Sequence, residues 1–167
     1  TIVVPGRWHQ IFKAGITHRH VGGADCRIHL LENEALYGRL GVYTGPDGQP
    51  FPDGLARAVF HCQAALTLPV LLNWRPDVVH CHDAEAALTA VYLRHWYRTA
   101  PGLARAGSLL TIHNLAYQEL HPVGAMEMVG LPREWADYPG DFEFHGRANL
   151  LKAGIVSAGL VNTVSPT

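Results

Sequence analysis

Three short apolar runs in this sequence end in polar residues, and helical patterns lie between them. The first run, residues 78–81, leads into His82 and Asp83 and then at once into a helical pattern over residues 84–97. A buried strand that turns directly into a helix is the repeating unit of an open α/β sheet. Because ligands bind outside the carboxyl ends of such strands, the pattern places His82 and Asp83 at an expected ligand site.

The other two runs repeat this arrangement. Residues 108–112 form a predicted strand that ends in His113 and Asn114, and residues 160–164 form another that ends in Ser165 and Pro166. Strands that alternate with helices favour a mostly parallel sheet with helices on both faces. We therefore predict an α/β domain in which the three polar ends meet at one rim.

Upstream, residues 1–4 and 26–31 read as strands, residues 11–16 are ambiguous, and the Gly- and Pro-rich residues 40–51 read as a loop. From Asp53 the pattern is helical, with one apolar face formed by Leu55, Val59, Cys62 and Leu66.

Downstream, the helix after Asp83 is expected to bury Leu88, Val91 and His95. Residues 115–146 are a long irregular segment rich in aromatic residues, and long connections at a rim are usually functional. A helix with the face Leu151, Ile155 and Ala158 follows, with Gly159 just after its end.

Composition indicates one globular domain. The 167 residues are 48% hydrophobic with a net charge of −1, which gives no argument for nucleic acid or anionic membranes as partners. The longest apolar runs look short for a membrane span. Ser165 followed by Pro166 resembles a helix start, from which we expect the chain to be part of a longer protein.

Cysteine usage favours a reducing compartment. The three cysteines, Cys26, Cys62 and Cys81, are odd in number and lack metal-like spacing, and two of them lie in apolar patterns. A cytoplasmic location is therefore expected.

The sequence allows two roles for Asp83, and one carboxylate can fill both. It stands where a carboxylate would cap the following helix, and it also stands where a ligand would bind. The series His80-Cys81-His82-Asp83 also permits a metal site of the kind found in hydrolases, although His80 fits better as a hydrogen-bonded histidine of the sheet.

The pair His113-Asn114 is either a functional pair at the rim or a turn asparagine beside a structural histidine, and the shared rim favours the first. Lys152 is more typical of a solvated or capping lysine than of a catalytic one. The aromatic residues between Tyr117 and Phe144 suit either a core or a sugar-binding surface. No phosphate-binding glycine loop occurs.

Four segments together resemble bacterial glycogen synthases and plant starch synthases, in the same order and with similar spacing. They are WRPDVVHCHD at residues 74–83, TIHNLAYQ at 111–118, EFHG with LKAG between 143 and 154, and TVSPT at 163–167. The resemblance covers residues 75–167 closely and residues 31–66 more loosely.

The resemblance implies a retaining glucosyltransferase that moves glucose from ADP-glucose to the non-reducing end of an α-1,4-glucan. It implies two Rossmann-like domains with the active site between them, and no metal or other cofactor. Residues 1–167 would be part of the amino-terminal, acceptor-side domain, without the carboxyl-terminal domain that binds most of the nucleotide. The family's catalytic lysine and glutamate would lie there, so that this chain alone should be inactive.

By the same resemblance, Asp83 and His113 are catalytic residues that contact sugar in the cleft, and His82, Asn114 and Tyr117 are substrate-binding neighbours. The chain departs from the family after the aspartate, where Ala84 and Glu85 replace tryptophan and histidine. This departure predicts a changed acceptor side. Two alternative functions remain: a non-catalytic carbohydrate-binding or regulatory domain, and a metal-dependent hydrolase.

Overall fold

The structure, a computed structural model, describes residues 2–4, 12–20 and 27–165, with side chains from residue 28 to residue 165. The strands of these ranges are β1 (Ile2–Val4), β2 (Phe12–His20), β3 (Arg27–Glu32), β4 (Val78–His82), β5 (Gly107–Ile112), β6 (Leu120–Pro122), β7 (Glu143–Phe144), β8 (Arg147–Asn149) and β9 (Leu160–Thr163). The α-helices are α1 (Glu34–Tyr37), α2 (Gly54–Leu71), α3 (Asp83–His95), α4 (Met126–Val129) and α5 (Leu150–Ser157).

The predicted parallel sheet is confirmed, and it has the order β4-β5-β9. Its register pairs His82 with Thr111 and Thr111 with Asn162, so the three strands reach the same level at their carboxyl ends. The polar residues that follow the strands therefore share one rim, as expected from the sequence. The other two sheets, β1-β2-β3 and β6-β8-β7, are antiparallel and were not predicted.

Helices cover one face of the parallel sheet. Cys81 and Leu110 point into a cluster with Ala84, Ala90 and Leu151 from α3 and α5, and all five side chains are buried. The opposite face is open among the described residues: Val78 is 56% and Leu160 is 71% exposed. The second layer of helices expected from the sequence is thus not seen in the described part of the chain.

Helix α2 packs against α3 through the face predicted from its periodicity, since Leu55, Val59, Cys62 and Leu66 are all buried in the main core. By length and composition alone, α2 is also apolar enough to cross a membrane, which the sequence reading did not anticipate. However, 56% of this segment is buried inside the protein, as expected for a core helix.

Helices α3 and α5 pack closely because Gly154 lies against α3. A Cβ atom at Gly154 would approach the Cβ atom of Ala87 to 2.6 Å, which is closer than two carbon atoms tolerate. This contact sets the face of α5: Leu150, Leu151 and Ala153 are buried.

The exposed side of α5 corrects the predicted face. Ile155 is 39% exposed, although the sequence placed it with Leu151 in the core. Ala158, the third residue of the predicted face, is half-buried and follows the last helical residue as its C-cap. Gly159 follows that end without a left-handed backbone; a Cβ atom there would lie 3.1 Å from the carbonyl oxygen of Ser108. His95 is also exposed, at the last turn of α3, because its ring lies beside Trp135 and not inside the core.

The segment predicted to be irregular, residues 115–146, contains β6, α4, β7 and two 3₁₀ turns at Val123–Ala125 and Arg133–Ala136. Lys152 holds this segment, because its Nζ atom donates to the carbonyl oxygens of Gly140 (3.0 Å) and Glu143 (2.6 Å). Lys152 is thus a structural lysine. The parts of the sequence predictions that concern residues 1, 11, 26, 166 and 167 fall outside the described residues.

Candidate active site

Asp83 joins two strand ends of the rim. Its Oδ1 atom accepts a hydrogen bond from the backbone N–H of His113 at 2.7 Å and a longer one from that of Asn114 at 3.4 Å. The capping role is wrong, because His82 occupies the N-cap position of α3 and no side chain caps the helix there. The carboxylate is instead used to fix the backbone that follows β5.

The backbone of Asp83 is strained. Its φ angle is 60°, in the left-handed region that L-residues other than glycine seldom adopt. Such a conformation costs about 1–3 kcal/mol and is concentrated at functional sites. The strained turn directs the Asp83 side chain away from α3 and towards the loop after β5.

The side chain of His113 contacts His82. The Nε2 atom of His113 lies 3.0 Å from the Nδ1 atom of His82, and the two ring centroids are 5.3 Å apart. Both residues are exposed at the rim. The structure therefore brings together three residues that the sequence assigned to the site: Asp83, His113 and His82.

Asn114 forms a turn, which is one of the two roles that the sequence allowed for it. Its Oδ1 atom accepts from the backbone N–H of Ala116 at 2.9 Å, and its carbonyl oxygen accepts from the N–H of Tyr117 at 3.3 Å. This turn presents Tyr117 with 68% of its surface exposed. A contact of either residue with a substrate stays a prediction.

The open face of the sheet carries a second polar group just below the rim. The Nε2 atom of His80 lies 2.6 Å from the hydroxyl oxygen of Thr111, which donates to Oδ1 of Asn162, also at 2.6 Å. His80 is thus a hydrogen-bonded histidine of the sheet, as the sequence favoured. Within the described ranges, no three His, Cys, Asp or Glu side chains are placed to hold a metal ion.

Tyr43 is a rim residue that the sequence reading missed. The Glu85 carboxylate is the main cause that raises the pKa of the Tyr43 hydroxyl, with smaller contributions from burial and from Asp83. Tyr43 therefore lies near these two carboxylates, although 68% of its surface is exposed. The only signal in the sequence was an aromatic residue in a loop rich in glycine and proline.

Loop contacts hold Tyr43 in place. The guanidinium of Arg57 donates to the carbonyl oxygen of Val42 at 2.5 Å, and the backbone N–H of Phe51 donates to the carbonyl oxygen of Tyr43 at 3.0 Å. The loop between α1 and α2 is therefore fixed to the first turn of α2 through Arg57.

Ala84 corrects the expectation about the acceptor side. Its side chain has no exposed surface and packs in the cluster formed with Cys81, Leu110 and Leu151. Position 84 therefore faces the core between the sheet and α5. The alanine at this position therefore leaves the open rim unchanged.

The aromatic residues after the rim separate into core and surface. Phe142 is fully buried and Trp135 is half-buried against the same core, whereas Tyr138 is 87% and Phe144 is 36% exposed. The segment thus places some of its aromatic residues in the core and leaves others on the surface, so each of the two predicted roles has candidate residues.

Two cavities of the described chain lie far from this rim. One of about 400 Å³ is lined by Arg98, Gly107 and Ser108, and one of about 510 Å³ by Arg75 and Arg105, at the amino-terminal ends of β4 and β5. At the rim itself, His82 and His113 are exposed.

An α/β domain in which polar residues meet at the carboxyl ends of parallel strands has the ligand-binding arrangement of open α/β proteins. The model of the starch synthase catalytic domain family matches residues 3–167, and the chain belongs to this family.

Curated relatives agree with this assignment. The chain is 38% identical over 162 residues to glycogen synthase 2 of Geobacter sulfurreducens, covering 92% of the chain and 32% of that protein. It is 39% identical over 146 residues to the glycogen synthase of Thermotoga maritima, covering 87% of the chain and 28% of the relative. The chain thus spans about a third of the length of these relatives.

A solved structure shows the same fold. The catalytic domain of starch synthase IV from Arabidopsis thaliana, bound to ADP and acarbose, matches with a TM-score of 0.75 and 26% identity. The match covers 95% of this chain and 31% of that protein. The comparisons give no support to the metal-dependent hydrolase or to the non-catalytic domain.

Proposed function

We propose that the chain is the acceptor-side part of a retaining glucosyltransferase that moves glucose from ADP-glucose to the non-reducing end of an α-1,4-glucan. Family membership supports the reaction class. The observation that carries the site assignment is the hydrogen bond from the backbone of His113 to the carboxylate of Asp83.

A second hydrogen bond to Asp83, from the backbone N–H of Asn114, has a consequence for the carbonyl group of His113. The N–H of Asn114 and the C=O of His113 belong to one peptide unit, in which they point in opposite directions. Because Asp83 holds that N–H, weakly, at 3.4 Å, the carbonyl oxygen of His113 points away from the carboxylate. We infer that this contact orients a backbone dipole at the rim.

An oriented dipole of this kind suits the proposed reaction. Glucosyl transfer builds positive charge on the sugar ring in the transition state. Preorganised dipoles stabilise developing charge, and one such group contributes roughly 3 kcal/mol. In our proposal the carbonyl oxygen of His113 faces this charge, and the His113 ring binds a hydroxyl group of the transferred glucose.

The remaining parts of the proposal concern partners and setting. Asn114 and Tyr117 line the sugar site beside His82, and no metal or further cofactor takes part. Two buried free cysteines, Cys62 and Cys81, support a reducing, cytoplasmic setting. A domain beyond residue 167 supplies the nucleotide site and the remaining catalytic residues.

The test is transfer of labelled glucose to maltooligosaccharide by the full-length protein, with ADP-glucose and UDP-glucose compared as donors. We expect α-linked chain extension with a preference for ADP-glucose. Residues 1–167 alone should transfer no glucose, because orientation of donor against acceptor contributes about 7–11 kcal/mol and needs both walls of the cleft. Maltooligosaccharide binding without transfer by the full-length protein would instead favour a carbohydrate-binding domain.

A further inference from the structure

Three histidine rings form a row on the open face of the parallel sheet. The ring centroids of His80 and His82 are 4.2 Å apart, and those of His82 and His113 are 5.3 Å apart. Both pairs have an interplanar angle of 35°. His82 is therefore in contact with another imidazole on each side, one in the sheet and one at the rim.

At the sheet end of this row, the hydrogen bonds of His80, Thr111 and Asn162 allow only one placement of their protons. The hydroxyl group of Thr111 has a single proton, which it donates to Oδ1 of Asn162. Its oxygen can then only accept from His80, so Nε2 of His80 carries a proton. Thr111 is 4% exposed, so little water reaches this group. The ring of His80 is thus a fixed surface on which the ring of His82 lies.

The rim end of the row determines the free nitrogen of His113. A single proton lies between Nδ1 of His82 and Nε2 of His113, since two N–H groups cannot point at each other across 3.0 Å. The Nδ1 atom of His113 is then the ring nitrogen left for a sugar hydroxyl. Asp83 already fixes the backbone of His113, so this bond restrains its remaining freedom, the side-chain torsions.

We propose that His82 is a positioning residue, which holds the imidazole of His113 in one orientation for the transferred sugar. This inference rests on the proposed function. It replaces the direct substrate contact that the sequence predicted for His82, because the Nδ1 atom of His82 is bonded to His113 and its ring lies between two others.

The experiment compares variants of the full-length protein in glucosyl transfer. His82→Ala is expected to lower kcat about ten- to a hundredfold, the effect of a misplaced reacting group, while the KM for maltooligosaccharide changes less than twofold. His82→Asn should restore most of the kcat, because an asparagine amide places a polar atom near the position of Nδ1. The matched control is His95→Ala, at the far end of α3, which should transfer glucose normally.

A double-mutant cycle separates positioning from direct binding. In a His113→Ala background, His82→Ala should cause less than a twofold further loss of kcat, since the ring that it positions is gone. If the two losses multiply, or if the KM for acceptor rises with kcat unchanged, His82 binds substrate itself and the proposal is wrong.

A second measurement does not depend on turnover. A crystal structure of the His82→Ala variant is expected to show the His113 ring in a new or second rotamer, with the backbone of residue 113 unmoved. An unchanged His113 ring would overturn the proposal even in an active enzyme. Absence of glucosyl transfer by the wild-type protein would overturn the proposed function, and this structure would still decide the role of His82.

Discussion

Replacement of Asp83 tests how the rim is held together. Asp83→Ala removes a charge-assisted hydrogen bond to the backbone of His113, of a kind that contributes about 1.5–3 kcal/mol. It also leaves an alanine at a φ angle of 60°, a conformation that alanine tolerates less well than aspartate because it has no polar side chain to bond the nearby backbone. Because the site is open, water replaces part of the lost bond. We therefore expect the free energy of unfolding to fall by about 2–3 kcal/mol.

Asp83→Asn is the matched control. Asparagine tolerates the left-handed backbone and keeps an Oδ1 acceptor, so that it loses only the charge-assisted part of the bond, about 1 kcal/mol. Urea titration of the wild type and both variants measures the difference. Equal losses in the two variants, or a loss below about 0.5 kcal/mol for alanine, would refute the reasoning that Asp83 anchors the loop after β5.

Three further predictions concern the core. Ala84→Trp should lower the free energy of unfolding by about 3 kcal/mol, because an indole overpacks a fully buried site; an unchanged urea midpoint would contradict this. Gly154→Ala should destabilise by about 1–3 kcal/mol despite its better helix propensity, and a raised Tm would contradict the close helix contact. Burial raises the pKa of the Cys62 thiol to about 12 and that of Cys81 to about 11. In a Cys26→Ser background, both thiols of the folded protein should resist iodoacetamide at about pH 8, which is near the pKa of a free thiol. After unfolding in urea, both thiols should react.

The raised thiol pKa values also predict that the free energy of unfolding falls at high pH. Because the pKa of each thiol is higher in the folded state than its ordinary value of 9.0, the neutral thiols contribute full stability below pH 9.0. This contribution should be lost as the pH rises from there through about 11 and about 12. Serine at both positions should remove the loss, and an equal loss in that variant would assign it to other groups.

The rim could be predicted because it follows from periodicity. The apolar runs before His82 and His113 have the length of strands, and the strands of the structure differ from the predicted ones by one residue at an end. Once the sheet is parallel, register alone brings these ends together. The helix face of α2 was predictable for the same reason, because repeated spacing determines which side is buried.

The contacts within the rim could not be predicted in this way. The bond from Asp83 to the backbone thirty residues later depends on a left-handed φ angle that an aspartate only occasionally adopts. The same angle sets the phase of α3 and turns Ala84 into the core. The strands β6, β7 and β8 have only two or three residues, which is too short for an alternating pattern to show.

The most direct test of the central claim is kcat for glucosyl transfer by the His113→Ala variant of the full-length protein, measured beside its thermal unfolding. The exposed ring faces the rim, so we expect little change in Tm and a loss of kcat of about ten- to a thousandfold, consistent with one positioned group. The backbone carbonyl remains in this variant, so some activity should persist. If the variant unfolds many degrees earlier and its folded fraction transfers glucose normally, His113 is a structural histidine and the assignment of the site is wrong.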